Sequence, residues 1–380
     1  MRVLMISKAL VAGTSQRKLE ELAKCPGVEL TLVTPPYWQS DDGSKQMLER
    51  LYTTGYQMIV TPMKLNGNFH LHYYPELGKI MREAQPEVVH IDEEPYNFAT
   101  FQAMRLAVGL KAKALFFTWQ NLYRDYPLPF RQMELYNYRH AAAALAGNRD
   151  AEEVLRRKGY RGPIHIIPQF GFDTDIYKRT EPCKPRAGGD PFTIGYIGRL
   201  VESKGLPQVI DALATLPDYC RVVFIGHGPM KSELEEQAAR LGVSDRVTFR
   251  GSVRTYEIPN ELQKLDVLVL PSLTRPNWKE QFGRVLCEAM ACETPVIGSD
   301  SGEIPYVIGD GGLVFPEGNA SELAARVRQL LDDPNLYARL ARNGRQRVLD
   351  TYTQQHIARQ TYEVYCEMLG ERVTSGAASR

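Results

Sequence analysis

Among the six cysteines of this 380-residue chain (Cys25, Cys183, Cys220, Cys287, Cys292 and Cys366) there is no CxxC pair and no regular spacing. That argues against a disulfide framework or a cysteine-built zinc site, and for reduced thiols in a reducing compartment. Long apolar runs are also missing: nothing approaches the roughly 18 consecutive apolar residues of a membrane-spanning helix. The opening MRVLMISKAL lacks a small-residue cleavage site and reads as a first buried strand, with cytoplasmic as the default location. Net charge is nearly absent, because 46 Lys and Arg stand against 45 Asp and Glu. A balance this close gives no overall field to collect nucleic acid. Repeats and low-complexity tracts are lacking, apart from a small, polar tail at 374–380 that is expected to fray. Histidine is scarce, and the one close pair, His70 and His72, has no third ligand nearby, so no metal centre is expected.

What is present is ordinary globular composition, 43% hydrophobic and 24% charged, in a chain long enough for about two domains. Short apolar runs alternate with helical-period segments, the pattern of βαβ units in parallel sheets. A first series predicts strands at 3–7, 28–33, 58–61, 88–91, 114–118 and 164–167, with a helix over 15–24 whose Leu19, Leu22 and Ala23 share one face. The Pro/Gly-rich stretch at 181–191 predicts a loop. A second series follows at 193–197, 222–225, 247–249, 267–270, 296–298 and 313–315, and Asn319 with Glu322 has capping-box spacing ahead of a last-domain helix. The expected fold class is therefore α/β, two Rossmann-like doubly wound domains facing across a cleft, with ligands at the carboxyl ends of the strands.

The most informative stretch is 271–305, PSLTRPNWKEQFGRVLCEAMACETPVIGSDSGEIP. A strand ends near Leu270, a polar loop follows, and a helix begins near Phe282 and Gly283. Unpaired N–H groups and a partial positive charge at such a helix start favour a diphosphate, and Gly283 is read as letting the ligand approach the backbone. Glu280 lies before the helix and Glu288 eight residues later, about 12 Å further by helical rise. That separation suits two ends of an extended ligand, and carboxylates accept hydrogen bonds from paired sugar hydroxyls. In TIGYIGRLVESKGL, a strand ends at Gly198, Arg199 precedes a short loop and Lys204-Gly205 opens the next helix. Two cations there match the charge of a diphosphate, at roughly 1.5 to 3 kcal/mol per charge-assisted bond. The turn Gly226-x-Gly228 alone is weak, because it lacks the third glycine of a dinucleotide fingerprint. His227 simply occupies that turn.

Other features carry competing readings. HIDEEPYN offers Asp92, Glu93 and Glu94 at a strand end, either as a carboxylate nucleophile or, the favoured reading, as a loop that lines a pocket or is solvated. Asp173-x-Asp175 is read as turn and cap rather than metal ligand. Trp119, Tyr123, Tyr126, Phe130, Tyr136 and Tyr138, with Arg124, Arg131 and Arg139, suit a carbohydrate acceptor or a lipid carrier at a membrane surface. Core packing with a solvated face explains them equally.

Taken together, the pieces around residues 192–333 resemble the C-terminal half of the retaining, nucleotide-sugar-dependent glycosyltransferases of GT-B fold, family 4, with their E-x7-E motif. The run IIPQFGFDTDIYK looks like that family's interdomain linker, and YTQQHIARQTYEVYCEML like its last helix, which returns to the first domain. The resemblance implies a first, acceptor-side domain at 1–170 joined by a helix at about 353–370. It also implies a nucleotide-sugar-binding domain at 171–352 and a flexible tail at 371–380. It implies that Glu280 contacts the donor sugar and that Glu288 holds the ribose hydroxyls. Phe282 and Gly283 would face the sugar and diphosphate by their backbone, Arg199 and Lys204 would sit on the phosphates, and Gly198 and Gln281 would flank the donor. Two departures stand out: Gln120 occupies the place of a histidine common in the family, and Ala12-Gly13-Thr14-Ser15 replaces its paired glycines. Gly13, Thr14, Glu94 and Trp119 are the acceptor-side candidates.

The implied activity moves a hexose-type sugar from a nucleoside-diphosphate donor to a hydroxyl acceptor (a glycan, lipid carrier or small molecule) in polysaccharide or glycoconjugate synthesis. It needs no cofactor beyond the nucleotide-sugar substrate, no metal and no nucleic acid, and leaves room for peripheral membrane contact. A UDP-sugar epimerase of the same architecture and a noncatalytic sugar-nucleotide-binding protein are the alternatives.

Overall fold

The computed structural model describes residues 1–40, 43–180 and 190–373. Most of the loop expected at 181–191, the tail at 374–380 and Cys183 lie outside the described residues. The chain divides into two compact units, Met1–Gly171 with Gln354–Arg380, and Phe172–Thr353.

In the first unit the elements are β1 (Arg2–Ile6), α1 (Arg17–Ala23), β2 (Glu29–Thr34), β3 (Tyr37–Gln39), β4 (Lys45–Met47), β5 (Gln57–Val60), α2 (Leu77–Ala84), β6 (Val88–Ile91), α3 (Phe98–Gly109), β7 (Lys113–Thr118), α4 (Phe130–His140), β8 (Ala143–Ala146), α5 (Arg149–Arg157) and β9 (Ile164–Ile166). Seven of the strands form a parallel sheet in the order β5-β2-β1-β6-β7-β8-β9, while β3 and β4 pair as a small antiparallel ribbon. Side chains alternate between the two faces, as a period of two requires. Leu4, Ile6, Val89 and Phe116 pack with α2 and α3 residues such as Met81 and Met104. Val3, Met5, Leu115 and Phe117 pack on the other face with Leu19 and Leu22 of α1 and with Ile357, Tyr362 and Tyr365.

The second unit carries β10 (Phe192–Ile197), α6 (Pro207–Thr215), β11 (Cys220–Ile225), α7 (Lys231–Arg240), β12 (Val247–Arg250), α8 (Ile258–Leu262), β13 (Val267–Leu270), α9 (Arg284–Ala291), β14 (Val296–Ser299), α10 (Ile304–Ile308), β15 (Gly312–Phe315), α11 (Ala320–Asp332) and α12 (Pro334–Thr351). Its six strands are parallel in the order β12-β11-β10-β13-β14-β15. The Asn319 carboxamide oxygen caps α11 by accepting from the Glu322 backbone N–H at 3.1 Å. The closing helix α13 (Gln354–Leu369) belongs to the first unit. No helix among the described residues is long and apolar enough to cross a membrane.

Three local expectations need correction. The helix placed at 15–24 begins only at Arg17, because two 3-10 turns, Ala9–Val11 and Gly13–Ser15, precede it. Lys204-Gly205 does not open a helix: Glu202–Lys204 forms a 3-10 turn and α6 starts at Pro207. Strand β8 was not expected, because its sequence AALA favours helix by intrinsic propensity. Flanked by β7 and β9 and buried throughout, it is a strand by tertiary context.

Each sheet has one place where successive connections run in opposite directions: between β1 and β6 in the first, and between β10 and β13 in the second. In open parallel sheets ligands bind beyond the strand carboxyl ends at such points.

Candidate active site

At the switch point of the second sheet, the segments leaving β10 and β13 are tied together. The Leu273 backbone N–H donates to the Ser203 carbonyl at 2.8 Å, and Arg275 reaches Glu202 at 2.7 Å. Lys204 and Glu280 meet across this junction, with Nζ 2.5 Å from Oε2. The Ser272 hydroxyl donates to the same oxygen at 2.8 Å. Both bonds fall on Oε2, so Oε1 is the Glu280 oxygen left for a ligand. Lys204 also stands 4.8 Å from the ring centroid of Trp278. Arg199 is exposed, and its carbonyl accepts from the Tyr196 hydroxyl at 2.8 Å. Gly198 is half-buried.

Helix α9 starts beside this group. No side chain caps its N-terminus; the Leu286 N–H donates to the Gly283 carbonyl at 2.9 Å, and the N–H groups of Arg284 and Val285 ahead of it are the ones that could serve an anion. Gly283, the cap, has φ +79°, and a Cβ there would stand 2.8 Å from Leu270 Cδ2. Glycine is thus demanded at this position by backbone conformation and by core packing. The Phe282 ring stacks on Phe172 and meets Tyr352 edge-on, leaving its backbone as the part that could serve a ligand. Gln281 is exposed.

Within α9, burial pushes the Glu288 carboxyl above its ordinary value, while Arg284 at 3.6 Å and the Tyr177 hydroxyl at 3.4 Å favour the charged form. The Gly226-x-Gly228 turn has a packing cause, since a Cβ on Gly226 would lie 2.0 Å from the Gly198 carbonyl oxygen. The His227 ring bonds Ser252.

At the switch point of the first sheet, the Ser7 hydroxyl donates to Asp92 at 2.7 Å and Lys8 forms an ion pair with Glu93. Burial alone would raise the Glu93 carboxyl, but Lys8 and His72 hold it down at about 2. Asp92 and Glu93 are therefore buried, partnered groups and not a solvated loop. Glu94 differs. Its carboxylate accepts from the Thr118 hydroxyl at 2.6 Å and the Trp119 backbone N–H at 2.8 Å. Burial pushes its carboxyl up to about 7, against those two bonds.

The Trp119 indole donates to Gln169 at 3.0 Å. Gln120 is buried, its Oε1 accepting from Lys158 at 3.3 Å. Gly13 is buried as well, with its N–H donating to Glu49 Oε2 at 2.9 Å, whereas Thr14 is exposed. His70 sits among the rings of Phe69, Tyr96, Tyr126 and Phe130. Asp173 accepts from the Asp175 N–H at 3.0 Å, a turn contact. Among the described residues no group of three or more His, Cys, Asp or Glu is placed to hold a metal ion.

The residues that sequence reasoning did not single out are Ser272, Trp278, Arg284, Tyr177 and Lys158. Only Arg284 carried a local signal, four residues before Glu288 on one helix face. In the second unit Ser272 and Trp278 lie in the segment that carries Glu280, and Tyr177 meets Glu288 from 111 positions away; in the first unit Lys158 meets Gln120 from 38 positions away.

Residues 17–175 match the family model described as Glycosyltransferase Family 4, and residues 178–347 that of Glycosyl transferases group 1. An alpha-D-kanosaminyltransferase of Streptomyces kanamyceticus is 32% identical over 224 residues, 55% of this chain and 56% of that protein. A D-inositol 3-phosphate glycosyltransferase of Streptomyces bingchenggensis is 36% identical over 250 residues, 60% and 54% respectively. The chain thus spans about half the length of the curated relatives it matches. The crystal structure of Anabaena HepE in complex with UDP superposes with a TM-score of 0.71 at 20% identity, covering 97% of this chain and 100% of that one, which establishes the shared fold.

Proposed function

This chain belongs to the GT-B glycosyltransferases of the family 4 type, and from that premise we propose that it moves a hexose-type sugar from a nucleoside-diphosphate donor to a hydroxyl acceptor with retention of anomeric configuration. The observation that carries the proposal is the Lys204–Glu280–Ser272 group at the β10/β13 switch point, beside the uncapped start of α9. A solved neighbour of the same fold holds UDP, which supports a nucleotide on the donor side.

In this reading the second unit holds the donor. Glu280 Oε1 accepts from sugar hydroxyls while Ser272 and Lys204 fix the carboxylate through Oε2. Glu288 accepts from the ribose hydroxyls. As the glycosidic bond breaks through an oxocarbenium-like state, negative charge grows on the departing diphosphate. Arg199, Lys204 and the N–H groups opening α9 stabilise that charge. The departing phosphate takes the acceptor's proton, so the reaction requires no dedicated base. The carboxyl ends of the first sheet, with Glu94 and Trp119, bind the acceptor. Peripheral membrane contact belongs to the same proposal where the acceptor is a lipid carrier.

Calorimetry and thermal shift with UDP, GDP, ADP and TDP and their sugar conjugates test it, on wild type and Glu288→Ala. Stabilisation by one nucleotide, weakened in the variant, is expected; absence of nucleotide binding in both sinks the donor assignment. Transfer to an acceptor then separates a transferase from an epimerase or a noncatalytic binder.

A further inference from the structure

At the carboxyl end of β7 lies a buried polar network with one open position. Lys158 Nζ is fully buried and donates to Glu134 Oε1 at 2.5 Å and to Gln120 Oε1 at 3.3 Å, and it stands 4.5 Å from the Tyr126 ring centroid. Two of its protons thus meet acceptors, and the ammonium also faces a ring. Glu134 is equally satisfied: Oε1 also accepts from the Tyr138 hydroxyl at 3.0 Å, and Oε2 from Arg131 at 2.7 Å. Gln120 is 9% exposed, and its Nε2, buried, has no partner.

The two ends of a carboxamide are hard to tell apart by shape, but here charge decides. Burial lowers the Lys158 ammonium from its ordinary value and the Glu134 carboxylate at 2.5 Å works against that; as the ammonium of this pair Lys158 offers only donors, so the oxygen of Gln120 faces it. Turning the amide over would set two N–H groups against a cation. An unpaired buried donor is costly and calls for an accepting oxygen. The backbone adds direction: the Gln120 N–H donates to Thr118 Oγ1 at 3.0 Å, and that hydroxyl donates to Glu94. Gln120 and Glu94 are thus held by one residue at the same strand end.

We propose that Lys158 is a positioning residue, which fixes the Gln120 carboxamide so that Nε2 donates to a hydroxyl oxygen of the sugar substrate. This rests on the transferase reading above. Substrate and amide make one neutral hydrogen bond, and Lys158 supplies orientation and no proton.

The test compares Lys158→Met, Gln120→Leu, the double variant and Gln120→Glu, with UDP-glucose as probe donor and UDP release as the rate. Lys158→Met and Gln120→Leu should each lower kcat/KM about 10-fold, and the double variant should be no worse than either. Gln120→Glu leaves Lys158 a partner, turns the open donor into an acceptor and adds one buried negative charge beside the Lys158 ammonium, so it should stay folded, at some cost in stability, yet show at least the same loss of turnover. Additive single losses, or a Lys158→Met that melts earlier but turns over like wild type, overturn the proposal. A second readout does not depend on the donor: the side-chain amide resonances of Gln120 in glutamine-15N-labelled protein. They should mark a single orientation in wild type and shift or broaden in Lys158→Met. If UDP-glucose is not turned over, the donor reading suffers while the resonances still decide, and unchanged Gln120 resonances in Lys158→Met refute the positioning role.

Discussion

Lys204 Nζ lies 2.5 Å from Glu280 Oε2, so the cation that follows β10 and the carboxylate that follows β13 hold one another at the switch point of the second sheet. In the proposed reaction that pairing does two things at once: it aims Glu280 and it keeps a positive charge where the diphosphate departs. Lys204→Ala removes both. Loss of one preorganised donor commonly costs about 10² to 10³ in rate, and turnover of the variant, followed by nucleoside-diphosphate release, is expected to fall in that range. Full turnover in Lys204→Ala would eliminate this mechanism.

In the same proposed reaction Glu288 holds the ribose hydroxyls and so reports on the nucleotide. Hydrogen bonds to charged groups contribute about 1.5 to 3 kcal/mol, so Glu288→Ala should weaken nucleotide binding by about 10- to 100-fold in calorimetry. The Tyr177 hydroxyl, at 3.4 Å, makes a long bond. Tyr177→Phe should therefore weaken binding by no more than about threefold, and a larger effect would mean that Tyr177 touches the nucleotide itself.

Much of this was legible in the sequence where one segment carries the whole signal. Val267–Leu270 is apolar throughout because both faces of a central parallel strand are covered, and its bounds could be read directly. Strand β8 could not, since alanines declare no face and only their neighbours in the sheet make them a strand. The same distinction runs through the site. Glu280 and Lys204 stood out at strand ends, yet their mutual bond depends on β10 lying beside β13, and the chain visits β11 and β12 in between. The Gln120–Lys158 contact likewise joins residues 38 positions apart. No local periodicity encodes such a meeting.

Backbone geometry at the start of α9 gives a stability prediction free of any assumption about substrate. Gly283 has φ +79° and sits against Leu270 and Leu286. Gly283→Ala combines left-handed strain, about 1 to 2 kcal/mol, with overpacking of about 1 to 3 kcal/mol. Urea denaturation should show a loss on the order of 2 to 5 kcal/mol, with faster hydrogen exchange in α9. An unchanged midpoint would show that the helix start can rearrange at no cost.

The pH dependence of Glu94 runs opposite to that of its neighbour Glu93. Burial lifts the Glu94 carboxyl from the ordinary 4.5 to about 7. Between those values the folded chain retains a proton that the unfolded chain has released. Stability from this group is therefore fully present below about pH 4.5 and is lost as pH rises through 7. Glu93, held at about 2, contributes stability above pH 4.5 and loses it as pH falls toward 2. Glu94→Gln removes the first dependence and leaves the second. Urea denaturation at pH 5 and pH 8 should show wild type losing on the order of 1 to 3 kcal/mol more than Glu94→Gln across that interval. Equal losses in the two proteins would mean that Glu94 is already ionised at pH 5, held by Thr118 and Trp119 as an ordinary carboxylate. That outcome would still leave it able to accept from an acceptor hydroxyl, but not able to carry a proton near neutral pH.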